Sequence, residues 1–341
     1  MTSEQSTTRP QAAAPQNITE LFNLAKENLK QKGQDRPAPS ASNIQASAQL
    51  NRKLLDSLFL EQRLLDTVES DTSSTLFGVK MKTPVFCSAL SRPGHLTDAD
   101  MVEIARGMGK AGTMMMLGMC GSEVLKGSIA TGAPVVKIIK AYRDLDLIYK
   151  QVKEVEQEGG VATGIDIDYW HGTFRDGGGR GTETYAPRKM SEIRQIMAST
   201  KLPYIIKGIL SVDDARKAVE LGASAIIVSN HLWATFDFGV PNIIALPKIV
   251  KAVGDKLTVF VDSGYRTGND VFKAFALGAK GVGITSSVVH AVSAGGADGV
   301  AQYLGFVHAE LKRTMSFCGC AKLSDINQSQ LVVSPELKQW W

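Results

Sequence analysis

The chain has 341 residues, 44% hydrophobic and 21% charged, with 32 Gly and 12 Pro, a globular mix that excludes wholesale disorder, collagen and coiled coil. A net charge of +4 over this length gives no reason to expect nucleic acid or an anionic membrane as partner, so a small molecule is the expected ligand. The four cysteines, at 87, 120, 318 and 320, form neither a disulfide framework nor a C-x-x-C metal pair, and a reducing, cytoplasmic setting is expected. The most apolar stretches, such as 111–117, are far shorter than the roughly 20 residues of a membrane helix.

In chain order, residues 1–16 are polar and small and read as a disordered tail. Residues 17–82 read as an N-terminal helical extension, with helical spacing of Ile18, Leu21, Phe22, Ala25 and Leu29. Eight short apolar runs follow, at 85–90, 113–117, 135–139, 162–167, 204–209, 225–229, 258–262 and 281–284. Helical segments separate them, the pattern of a parallel sheet buried on both faces. Capping pairs Thr97/Asp100, Ser211/Asp214 and Thr267/Asp270 mark helix starts, and Gly112, Gly222 and Gly278 mark helix ends just before strands. A (β/α)8 barrel over 83–326 accounts for all eight runs without leaving sheet edges, and 327–341 reads as a C-terminal tail. Gly107, Gly109 and Gly112 match G-x-G-x-x-G, but they end a helix and lead into a strand, the reverse of a dinucleotide fingerprint.

Barrel chemistry belongs on the loops after the strands. Lys207 ends the fifth run, where a buried ammonium needs an anionic or electron-rich partner. His231 follows the sixth run as a candidate general base, and Asp166 and Asp168 end the fourth run on one side of the strand. An Asp beside the His would hold its tautomer and stabilise the imidazolium. After the seventh run, Asp262, Ser263, Gly264 and Arg266 precede a helix start whose free N–H groups, with the guanidinium, would make a phosphate cradle. Thr285 and Ser286 after the eighth run could bind the same anion, although simple N-capping accounts for them equally well. No metal site is expected; Cys318 and Cys320 lack further ligands. The glycine-rich loop 170–187 suits a mobile lid, and a connection without a catalytic task fits as well.

With these residues in view, the chain from about 51 to 326 resembles the FMN-dependent 2-hydroxy acid oxidase and dehydrogenase family, which includes glycolate oxidase, lactate oxidase and mandelate dehydrogenase. The likeness is densest over 202–231, 259–283 and 311–326. It implies FMN as cofactor, with Lys207 against flavin N1 and the C2 carbonyl, Ser229 contacting flavin, and Ser88, Ala89 and Leu90 laying backbone along it. It implies His231 as the catalytic base oriented by Asp168, and Asp262 to Arg266 as the D-G-G-x-R phosphate segment, with Ser263 in place of the first Gly. Arg175 matches an arginine of the substrate region, and a homo-oligomer, typically a tetramer, is implied too.

The departures bear on substrate and cofactor. Ala234 stands where the family has the arginine that pairs with a substrate carboxylate, and Lys140 stands where it has a substrate Tyr. Ile138 replaces a flavin-contacting Gln, Asp166 a flavin-facing Thr, Gly118 a Ser, and Thr285 with Ser286 a phosphate-binding Gly-Arg. FMN affinity is therefore expected to be weaker than usual. The substrate pocket is expected to comprise Lys140, Arg175, His231 and Trp233, either with the two cations rebuilding an anion site, or with Lys140 turned to solvent or paired to Asp166 while Trp233, Phe236 and Phe238 cover an apolar substrate. The leading expectation is an FMN oxidoreductase acting on an atypical substrate; a redox-neutral flavoenzyme and a degenerate binding paralogue are the alternatives.

Overall fold

Eight parallel strands close on themselves in chain order: β1 (Val85–Leu90), β2 (Met115–Leu117), β3 (Val135–Lys140), β4 (Ala162–Asp166), β5 (Tyr204–Ile209), β6 (Ala225–Val228), β7 (Thr258–Val261) and β8 (Gly281–Gly283). The molecule is seen in a computed structural model that describes residues 14–34, 45–66, 68–168, 184–232, 235 and 237–340. The expected (β/α)8 barrel is therefore present. Alternate residues of each strand point inward, where Phe86, Met116, Val136, Ile138, Ala162, Ile205, Ile227 and Phe260 pack as one buried cluster. A hairpin of Ser74–Leu76 and Val79–Met81 adds Leu76 and Met81 to that cluster, with Phe77 edge-on to Phe260 at 5.8 Å. This plug leaves the carboxyl ends of the strands as the open face. The other strand faces meet the surrounding helices in a second, larger core.

Local signals set the helix ends. Thr97 with Asp100 and Thr267 with Asp270 form reciprocal capping boxes, while Ser211 accepts from the Asp214 N–H. Gly112, Gly222 and Gly278 adopt φ of +72°, +81° and +98°, the left-handed turn that stops a helix and that only glycine takes without strain. Gly107 has a second reason to be glycine. A Cβ there would lie 2.6 Å from the Ala297 carbonyl oxygen on the long helix Ser286–Phe317, which is itself bent at Gly295 and Gly296.

The flanking segments are more structured than composition suggests. The extension holds helices Ile18–Gln31 and Ala46–Asp56 but also the hairpin and a strand, Leu58–Leu60. Residues 327–341, expected as a tail, instead contribute strand Leu331–Val333, antiparallel to Leu58–Leu60, and a short helix, Pro335–Lys338, that buries Leu337 completely. The strand of this segment finds its partner far upstream, with Leu60 opposite Leu331 and Leu58 opposite Val333, a pairing that no local pattern announces. Most of the expected N-terminal tail lies outside the described residues. Among those described, no helix is long and apolar enough to cross a membrane.

Candidate active site

The register of three neighbouring strands builds the charged centre of the barrel mouth. Lys140 on β3 sits opposite Asp166 on β4, and Asp166 sits opposite Lys207 on β5. All three point inward by strand parity and are almost fully buried. Asp166 Oδ2 accepts from Lys140 Nζ at 2.6 Å and lies 3.6 Å from Lys207 Nζ. Burial opposes the Asp166 charge, but the two ammoniums outweigh it and hold the carboxyl well below its usual range. Lys140 is also lowered, because its desolvation outweighs the attraction of Asp166. Lys207 is raised above the ordinary lysine value, because Asp166, Asp168 and Asp262 together overcome its desolvation.

His231, just past β6, places Nδ1 2.7 Å from Asp168 Oδ1, 3.7 Å from Asp166 Oδ2 and 3.3 Å from Lys207 Nζ. Burial and the charge of Asp166 raise Asp168. An Nδ1–H donated to the Asp168 carboxylate puts the basic lone pair of the imidazole on Nε2. The three groups Asp166, Asp168 and His231 bring ligand atoms within 4.8 Å of one another, a spacing a metal could use. Here Lys140 and Lys207 supply positive charge at Asp166.

The backbone around His231 is strained, and a network of asparagines holds it. His231, Leu232 and Ser263 have φ of +51°, +58° and +73°, a region costly for side chains larger than glycine. Asn51 and Asn230 exchange reciprocal amide bonds of 2.9 Å. Asn230 Oδ1 also accepts from the Leu232 N–H, and the Ser263 carbonyl accepts from both Asn51 and Asn242. Asn242 Nδ2 donates to the Asp262 carbonyl as well. Asn51 comes from the N-terminal extension, so this segment is part of the site's scaffold. Beside it, Arg52 grips Asp270 with two bonds of 2.9 Å and donates to the Gly264 carbonyl. Nothing in the sequence pattern singled out these asparagines or Arg52; an amide at a strand end becomes informative only when its partners are seen.

A cleft at the mouth is lined by Ser88, Ala89, Lys207, His231, Asp262, Ser263, Gly264, Arg266, Thr285 and Ser286, all expected site residues. Leu232, Tyr265 and Gly283 line it too and were not anticipated. Ser88 and Ser263 hydroxyls donate to the two oxygens of Asp262, at 2.5 and 2.9 Å, which fixes the end of β7. A Cβ on Gly283 would lie 2.7 Å from Ser88 Cβ and 2.9 Å from Asp262 Cβ, so the close approach of these strands needs glycine.

One expectation about the phosphate cradle is corrected. The helix after β7 does not present free N–H groups: Arg266 and Thr267 N–H donate to Asp270, and Gly268 N–H to Glu310 at 2.6 Å. The helix after β8 is the better donor, since Thr285 makes no side-chain cap and the first turn at Ser286 opens on the same cleft as Arg266.

The remaining expected residues surround the cleft. Ser229 is buried, accepts from the His231 N–H at 3.2 Å and lies 3.5 Å from the Ser263 hydroxyl. Leu90 turns its side chain into the outer core, and Gly118 packs against Ser91 with its N–H on the Leu90 carbonyl. Lys140 follows the second of the two arrangements considered for it, pairing with Asp166. Arg175, Trp233 and Ala234 lie outside the described residues, as does the glycine-rich centre of the loop 170–187.

The donor set suits a ligand with an anionic tail and a polar, electron-accepting head. Arg266 and the uncapped helix start meet the first requirement; buried Lys207 meets the second. The hydroxyl of Tyr265, which lines the cleft, is buried and has no hydrogen-bond partner among the described residues, which leaves polar capacity for a bound group.

Comparison with known proteins agrees with this. The sequence profile of the FMN-dependent dehydrogenase family matches residues 25–189 and 179–333. Glycolate oxidase 3 of Arabidopsis thaliana is 29% identical over 354 residues, spanning 92% of this chain and 95% of that protein. Glycolate oxidase of Spinacia oleracea is 28% identical over 351 residues, with 92% and 95% covered. The crystal structure of mandelate oxidase superposes with a TM-score of 0.84 at 28% identity, covering 94% of this chain and 99% of the other. Its complex with 3,3-difluoro-2-hydroxy-3-phenylpropionic acid gives 0.82 at 30% identity, with 93% and 98% covered.

Proposed function

The chain belongs to the FMN-dependent dehydrogenase family, an FMN oxidoreductase acting on a CH–OH group, and on that premise we propose that His231 is its base and that its substrate is not a simple 2-hydroxy acid. The observation that carries the proposal is the 2.7 Å contact of His231 Nδ1 with Asp168 at the rim of a cleft floored by Lys207.

Arg266 and the N–H groups at Ser286 would hold the FMN phosphate, and Lys207 would stand against the flavin ring. When bound, FMN supplies the two-electron acceptor for the hydride, or its equivalent, leaving the substrate carbon. His231 Nε2 takes the proton of the substrate hydroxyl, and Asp168 stabilises the imidazolium that results. Lys207 offsets negative charge gained by the cofactor, from a buried position where a cation acts more strongly than in water.

Two features support an atypical substrate. Ala234 cannot pair with a carboxylate, and the ammonium of Lys140 is engaged by Asp166 rather than presented as a replacement clamp. The relatives named for glycolate and mandelate act on acids, to which position 234 of this chain offers no cation. Anaerobic reduction of the bound flavin, followed by loss of its visible absorbance, tests the reading. Glycolate, lactate and mandelate should bleach it more slowly than their amides or esters. Faster reduction by the acids would overturn the substrate assignment, and Ala234→Arg should restore the acids as substrates.

A further inference from the structure

Three ionisable groups at the mouth of the barrel are strung on one carboxylate oxygen. Asp166 Oδ2 is 2.6 Å from Lys140 Nζ and 3.6 Å from Lys207 Nζ, and all three residues are at most 3% exposed. Such a cluster cannot be a solvated surface network; each charge is felt by the others and by whatever occupies the adjoining cleft. Lys207 lines that cleft, whereas Lys140 and Asp166 are not among its lining residues. The charges of the three sum to +1, the value Lys207 would have alone.

We propose that Lys140 is a positioning residue for the flavin chemistry: it cancels the charge of Asp166, so that Lys207 acts on bound FMN with its full positive charge. The inference rests on the FMN assignment. An uncompensated Asp166 would share Lys207, bring the cluster to zero and destabilise the anionic reduced cofactor. Lys140 thus substitutes electrically for having no acid at position 166. It does so across β3 and β4, whose register sets Lys140 opposite Asp166. The same pairing explains why a lysine at this position does not serve as a substrate clamp.

The test is the two-electron midpoint potential of FMN bound to the wild-type protein, Lys140→Met, Asp166→Asn and the double variant, with FMN affinity measured alongside. Lys140→Met should lower the reduction equilibrium constant at least tenfold, equivalent to about 30 mV for two electrons. Asp166→Asn, nearly isosteric, should raise it by a similar factor, and the double variant should return close to wild type. Should Lys140→Met fail to fold, the opposite shift in Asp166→Asn and its reversal in the double variant still decide the matter. Unchanged potentials in FMN-loaded single variants, or a double variant that simply adds two shifts of one sign, would overturn the role of Lys140 while leaving the cofactor assignment intact. A wild-type protein that fails to bind FMN would remove both.

Discussion

Asp166 and Asp168 stand two residues apart at the end of one strand, both within 3.7 Å of His231 Nδ1, and their environments drive them in opposite directions. Lys140 and Lys207 keep Asp166 ionised; burial and the Asp166 charge raise Asp168. The first carboxylate belongs to the lysines and the second to the histidine, a division of labour set by neighbours rather than by residue type.

His231→Gln should retain the fold and bound FMN while turnover falls roughly 10²–10⁴-fold, the range for loss of a positioned base. Asp168→Asn should lower turnover as well, since an amide in its place no longer enforces Nδ1–H. Steady-state rates across the pH range, with the flavin spectrum as a control for binding, check both. Full activity in His231→Gln would place the base elsewhere.

Arg266→Ala should weaken FMN binding by about 1.5–3 kcal/mol, as expected for a charge-assisted hydrogen bond to phosphate. Fluorescence titration of the apoprotein measures it. Equal affinities would leave the helix start at Ser286 as the phosphate's principal donor and take Arg266 out of the site.

Gly283→Ala should both destabilise the protein by roughly 1–3 kcal/mol, the cost of overpacking, and loosen FMN. The added methyl would press on Ser88 and Asp262, whose mutual bond shapes the cleft floor. Denaturant unfolding and FMN titration read the two effects. A variant as stable and as tight as wild type would show that the strands can spread there.

Acid stability should carry the mark of Asp166. Its folded pKa lies below the roughly 3.9 of an unfolded aspartate, so its contribution is complete above about pH 4 and is lost as pH falls through the folded value. Asp168, raised, acts in the opposite sense, its ionised form opposing the fold as pH rises through its folded value. Unfolding free energies between about pH 5 and pH 2 should therefore fall less steeply in Asp166→Asn than in wild type. At neutral pH, Lys140→Met should destabilise the protein, because Asp166 loses its 2.6 Å partner and keeps only Lys207 at 3.6 Å. A slope identical to wild type would mean that Asp166 is not held ionised by its lysines.

Much of the molecule follows from local sequence. Two-residue alternation alone sends Asp166, Lys207 and Asp262 to the inner face of their strands, and capping pairs such as Thr267 with Asp270 bound the helices, because both depend only on residues a few positions apart. The partners of these groups depend on contacts between distant parts of the chain. That Lys140 answers Asp166 follows from the β3–β4 register; that Asn51 braces Ser263 follows from an extension helix folding back over 212 residues. Glu310 takes the N–H of Gly268 from another helix altogether, and Leu331–Val333 pairs with Leu58–Leu60 across nearly the whole chain. Strand parity and capping are properties of the local backbone, whereas the pairing of a buried charge or a strained turn is settled only where packing brings two segments within hydrogen-bonding distance, so the sequence determined which groups face the mouth and the tertiary structure decided what each one is held by.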